Sequence, residues 1–115
     1  MKITIVPSER FKKSFKRLSR KYVSLKSDYL IFEQELIEDY ELGISLGGGF
    51  RKVRLAIHSK SKGKSGGARI ITYGLLLKIE EGVIILVDIY DKSEKETLTE
   101  KEYIKILQDF INNEL

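Results

Sequence analysis

Hydrophobic and polar positions alternate over residues 2–6, where β-branched side chains dominate, and this pattern predicts a first strand. Pro7 and Ser8 break it and open a helix. In that helix Phe11, Phe15, Leu18 and Tyr22 recur at helical spacing and form one apolar stripe. Lys12, Lys13, Lys16, Arg17, Arg20 and Lys21 take the other faces. A second stripe of Leu25, Tyr29, Phe32, Leu36 and Tyr40 predicts a helix over residues 25–42 that stops at Gly43. Asp28, Glu33, Glu35, Glu38 and Asp39 are expected on its outer side. The two helices read as an antiparallel hairpin with opposite charges on its outer faces.

Gly47, Gly48 and Gly49 form a turn, and three strands are expected after it, over residues 50–58, 68–78 and 83–90. Val53, Leu55 and Ile57 alternate with Arg54, Ala56 and His58, as on a half-buried strand. The connection over residues 59–67 is basic, glycine-rich and long for a hairpin, a property of functional loops. Glu81-Gly82 marks the next turn, and the nearly continuous apolar run 83–87 predicts a central strand covered on both faces. Thr99 and Glu102 have the spacing of a capping box for a last helix, with Tyr103, Leu107 and Phe110 on its buried face. The expected order is β-α-α-β-β-β-α: an α+β domain spanning residues 1–115, with a largely antiparallel sheet, an N-terminal helical hairpin and a C-terminal helix.

Composition narrows the chemistry. The chain of 115 residues is long enough to build one core without staples. It has no cysteine and one histidine, which argues against a thiol nucleophile or a structural zinc site. No apolar run approaches the roughly 20 residues that span a bilayer, and no signal peptide is evident, so a cytoplasmic protein is expected. Net charge is only +4, but it is arranged in blocks. Residues 1–27 carry nine bases and one acid, and residues 28–50 carry six acids and no base. Residues 51–78 carry eight bases and no acid, and residues 79–115 carry four bases and ten acids. Two concentrated basic blocks point to a polyanionic partner more strongly than the total does.

Lys52 and Arg54 are two apart and therefore share a strand face. Arg69 opens the next strand, which should pair antiparallel with the first, and Lys92 follows the strand after that. Paired in this way, the four cations converge on one patch able to hold a phosphate, the arginines bidentately. Strand parity places His58 on the same face, where its ordinary pKa suits acid/base work.

Three runs carry a resemblance. They are Lys52-Val-Arg54-Leu-Ala, then Gly63-Lys-Ser-Gly-Gly-Ala-Arg69-Ile-Ile-Thr-Tyr73, then Ile89-Tyr-Asp-Lys92-Ser-Glu94. Together they resemble the type II toxins of the RelE/ParE superfamily, in the HigB/RelE-like branch, and the similarity of element order extends over nearly the whole chain. The resemblance implies a RelE-like fold and a metal-independent endoribonuclease that needs no cofactor and cleaves mRNA in the ribosomal A site. It also implies a cognate antitoxin protein as partner, with mRNA and rRNA as the bound nucleic acids. Carried over by position, Lys52 and Arg54 match the paired basic positions of the second strand, and Arg69 matches the arginine that contacts the phosphate. Lys92 takes the electrostatic role at the end of the fourth strand, where RelE has an arginine beside a lysine and this chain has Ser93. Tyr103 is the counterpart of a late tyrosine that stacks on a base or assists proton transfer, with Tyr90 as its rival. Arg51, Lys60, Lys62 and Lys64 are expected to grip the RNA backbone, and the basic first helix to contact rRNA.

The implied reaction is attack of an RNA 2′-OH on its own adjacent phosphate, giving a 2′,3′-cyclic phosphate and a 5′-OH. It needs in-line orientation, a proton acceptor and cations for the developing charge. Two other classes compete. A ParE-like toxin would use the same fold to inhibit DNA gyrase without cutting RNA. The other is a non-catalytic RNA-binding domain, against which the chain lacks the interleaved aromatics of a stacking platform.

Overall fold

The computed structural model describes residues 2–60 and 66–114. Its elements are β1 (Lys2–Pro7), α1 (Glu9–Lys21), α2 (Leu25–Glu38), β2 (Ile44–Gly47), β3 (Phe50–Leu55), β4 (Ala68–Lys78), β5 (Glu81–Asp91) and α3 (Glu100–Glu114). A single 3-10 turn, His58–Lys60, follows β3. The class is α+β. The five strands form one sheet in the order β1-β5-β4-β3-β2, in which β1 runs parallel to β5 and every other pairing is antiparallel.

The sheet is covered on both faces. On one face α1 and α2 bury Phe11, Leu18, Leu25, Phe32 and Leu36 against Val53, Leu55, Ile70, Ile84 and Leu86. On the other, α3 lays Tyr103, Leu107 and Phe110 on Phe50, Ile71, Ile85 and Val87. Successive residues of β5 thus enter opposite cores, which accounts for its unbroken apolar run.

Local chemistry fixes the helix starts. Ser8 Oγ accepts from the Phe11 N–H at 3.0 Å and donates to the Val87 carbonyl at 2.8 Å, so the cap of α1 also docks it on β5. The capping box of α3 forms as expected. Glu102 N–H reaches Thr99 Oγ1 at 3.3 Å, and Thr99 N–H reaches Glu102 Oε1 at 3.1 Å.

Several expectations are corrected. An additional strand, β2, pairs with β3, so the order is β-α-α-β-β-β-β-α. Helix α2 ends at Glu38 rather than at residue 42, because Asp39 turns extended and its carboxylate accepts the Glu41 N–H at 3.0 Å. Tyr40 therefore leaves the apolar stripe and is exposed. Asp28 is buried rather than solvated: it accepts from Ser24 Oγ and from the His58 backbone N–H, and pairs with the His58 ring. Strand β3 stops at Leu55, so the parity argument does not extend to His58. Among the described residues no helix is long and apolar enough to cross a membrane.

Two glycines bring strands and connections close to the site. Gly43 has φ +89°, and a Cβ there would lie 2.4 Å from the Lys52 carbonyl oxygen. A Cβ on Gly67 would lie 2.1 Å from the Leu55 carbonyl oxygen, so glycine is required where the chain passes the end of β3 to start β4.

Candidate anion-binding groove

Antiparallel pairing of β3 with β4 sets Arg54 directly opposite Arg69, and β5 adds Tyr90 to the same row. Like charges directly opposite on a sheet are destabilising, so this pairing by itself works against the fold. Arg69 is buried, with its Nη1 donating to the Ala68 carbonyl at 3.1 Å. Burial first, and Arg54 second, push its pKa below the ordinary guanidinium value; Tyr90 acts weakly the other way. Lys52 lies two residues before Arg54, opposite Ile71. Lys92 follows β5: its backbone N–H donates to the Gly67 carbonyl at 3.1 Å, and its ammonium donates to the Glu96 carbonyl at 2.8 Å.

These four cations line one groove of about 400 Å³. Glu35 of α2, Leu42, Gly43, Ile44 and Val53 complete its wall. Lys52, Arg54, Arg69 and Lys92, separated by up to 40 positions in the chain, are brought together as expected. Glu35 was not anticipated at the site, because its charge alone assigned it to the outer face of α2.

The remaining expected residues fall elsewhere. Arg51 points to the connection after α2, where Nε donates to the Leu42 carbonyl at 3.2 Å and Nη2 to the Gly43 carbonyl at 2.8 Å. It braces the wall of the groove. Lys60 is turned inward, with only 8% of its side chain exposed, and its ammonium donates to Asp91 Oδ1 at 2.8 Å and to Ser93 Oγ at 3.1 Å. It also lies over the Tyr22 ring at 5.2 Å. Such an ammonium is a structural anchor, not a surface grip. Lys62 and Lys64 lie outside the described residues.

Tyr103 is in the core under α3, with its ring 4.6 Å from Phe50, and it does not line the groove. Burial, then Glu100, raise its pKa, which makes it a poorer proton acceptor. The helical stripe decides its place. Tyr90 is also buried, but beside Arg69, and its hydroxyl has no hydrogen-bond partner among the described residues.

Asp91, at the end of β5 and next to Lys92, organises a separate cluster. It is fully buried and accepts from Lys60, the Tyr22 hydroxyl, and both the Ser93 hydroxyl and its N–H. Burial pushes its carboxyl up, but the hydrogen bonds from Lys60, Tyr22 and Ser93 outweigh it and hold the group well below the ordinary carboxylate range. Ser93 therefore belongs to this cluster. The outward cations of α1 are partly neutralised from the same side. Arg17 makes two hydrogen bonds to Glu94, Lys21 reaches Glu94 at 2.9 Å, and Arg10 lies 3.6 Å from Asp88. Lys13, Lys16 and Arg20 remain exposed on α1.

The groove presents an arrangement suited to a phosphodiester: two adjacent guanidinium groups, two flanking ammonium groups and one carboxylate. No protein-family model matches the chain.

Proposed function

We propose that this chain is a RelE/HigB-like toxin, a cytoplasmic endoribonuclease that cuts mRNA on the ribosome and is held silent by a cognate antitoxin protein. The observation that carries the reading is the convergence of Lys52, Arg54, Arg69 and Lys92 on one groove, with Arg54 and Arg69 opposed across two strands. The resemblance of the Gly66-Gly67-Ala68-Arg69 segment to that branch adds to it.

In this reading Arg69 and Arg54 hold the non-bridging oxygens of the scissile phosphate, and Lys52 and Lys92 flank the phosphates on either side. The 2′-oxygen attacks phosphorus, the bond to the 5′-oxygen breaks, and the leaving oxygen takes up a proton. Glu35, the carboxylate in the wall, is the group to which we assign the 2′-proton. The four side-chain cations neutralise the developing charge in the role a metal takes elsewhere. Attack by a 2′-OH restricts the substrate to RNA. A gyrase-binding ParE-like toxin has no use for opposed arginines in a groove, so the groove favours the nuclease.

The test adds purified protein to a purified translation system and maps mRNA ends by primer extension, with wild type and Arg69→Ala. Ribosome-dependent cuts that vanish in the variant support the reading. Intact mRNA together with inhibited gyrase sinks it in favour of the ParE-like alternative.

A further inference from the structure

Helix α2 is apolar on two sides. Leu25, Phe32 and Leu36 enter the core, whereas Leu30 (64% exposed), Ile31 (53%) and Ile37 (48%) face outward, and Val23 at the approach to the helix is 89% exposed. Leu30 and Ile37 are seven residues apart on α2, and Val23 lies in the turn just before it. That is the spacing of a seam made against another helix, not of scattered surface side chains. From this structure we infer that the outer face of α2 is a self-association surface, which pairs antiparallel with α2 of a second copy of this chain.

The choice of occupant follows from symmetry and charge. A two-fold antiparallel pairing centred on Leu30 sets Leu30 on Leu30 of the second copy and brings Ile37 to the turn that precedes α2 of the second copy, twice over. Lys26 and Glu33 lie on the same flank of the seam, one before and one after Leu30. In an antiparallel two-fold pair each flank meets the same flank of its partner, so Lys26 of each copy falls beside Glu33 of the other. A parallel pair would set each flank against the opposite flank of its partner, so Lys26 and Glu33 would not meet. Helix α1 offers no alternative seat, because its outward residues are charged and carry no large apolar side chain. An anionic membrane is disfavoured by the acids Glu38, Asp39 and Glu41 at the end of the stripe. The helix has 14 residues, about 21 Å, which gives an interface below the size of stable complexes. The dimer is therefore weak and concentration-dependent. The inference is independent of the nuclease reading.

Sedimentation equilibrium of the full chain, from low micromolar to near-millimolar concentration, tests it. Wild type is expected to pass from monomer to dimer. Leu30→Glu, an exposed position that leaves the core intact, should raise the dissociation constant ~10-fold or more, equivalent to about 1.4 kcal/mol. Lys26→Glu and Glu33→Lys should each weaken the dimer, and the combined exchange should restore it. Glu33 also accepts from the Tyr29 hydroxyl, so circular dichroism must show that its variant stays folded. A chain that is monomeric at every concentration overturns the proposal. So does a dimer unaffected by Leu30→Glu, or a combined exchange that restores nothing. Leu30-dependent binding to phosphatidylglycerol vesicles without self-association would assign the face to a membrane, and would overturn the proposal equally.

Discussion

Arg54 stands directly across from Arg69 on the neighbouring strand, and both open onto the groove that Lys52 and Lys92 also line. A sheet gains nothing from this juxtaposition by itself. Removing one charge should therefore help the fold and harm the function. Arg54→Thr is expected to stabilise the ligand-free protein by about 0.2–1 kcal/mol, read as a higher midpoint in urea. It should also abolish most of the stabilisation that wild type gains from inorganic sulfate or a short RNA. A variant less stable than wild type without anion, and equally responsive to anion, would show that the two arginines do not repel.

Asp91 gives a prediction in pH. Its folded pKa is depressed, so the stability it contributes is fully present above its unfolded value of about 3.9 and is lost as pH falls below that toward the folded value. Glu94, hydrogen-bonded by Arg17 and Lys21, and Glu102, held down to about 2 by the Thr99 N–H and by Lys95, act with the same sign. Stability should fall steeply below about pH 4, and Asp91→Asn should flatten that slope. At neutral pH the variant strands the inward-turned Lys60 and should cost about 3–5 kcal/mol. Urea unfolding at a series of pH values measures both effects.

Gly67 has no room for a methyl group against the Leu55 carbonyl. Gly67→Ala must push β4 away from the end of β3, at a cost of about 1–3 kcal/mol. The displacement falls two residues from Arg69, so RNA cleavage should drop further than the lost stability explains when both are assayed at a temperature where the variant is fully folded.

The two tyrosines separate cleanly. Tyr90→Phe removes a buried hydroxyl that lacks a partner among the described residues, and is expected to stabilise the protein by about 1 kcal/mol. If that hydroxyl meets substrate beside Arg69, cleavage falls at the same time. Tyr103→Phe keeps the ring on Phe50 and should leave cleavage within twofold of wild type, about 0.4 kcal/mol at the most. Single-turnover cleavage rates decide both, and a large loss in Tyr103→Phe would return that residue to the site.

Much of this was legible in the chain because two signals are strong. Strand parity places Lys52 with Arg54, and hairpin pairing brings Arg69 beside them. The Thr99–Glu102 capping box fixed the start of the last helix within a residue. What escaped has physical reasons. Strand β2 has four residues and is mostly exposed, so it is too short to show a period of its own and exists through its pairing with β3. Asp28 occupies the helical spacing of Leu25 and Phe32, but its charge argued for the outside. Its burial depends on Ser24 and His58, and His58 is 30 residues away. Lys60 looked like its neighbours in a basic loop. Only the carboxylate at the end of β5 distinguishes it, and nothing in local composition points across that distance.

Strand β1 pairs parallel with β5, Lys2 beside Glu81, and that pairing has a consequence for biosynthesis. Strand β1 must wait until β5 has been made before it finds its place in the sheet. The groove waits too, since its last cation is Lys92. A nascent chain can form its helical hairpin early, but it holds no assembled groove until Lys92 has emerged. If the site cuts messages, this order of assembly along the chain delays the activity until every strand of the sheet has been made.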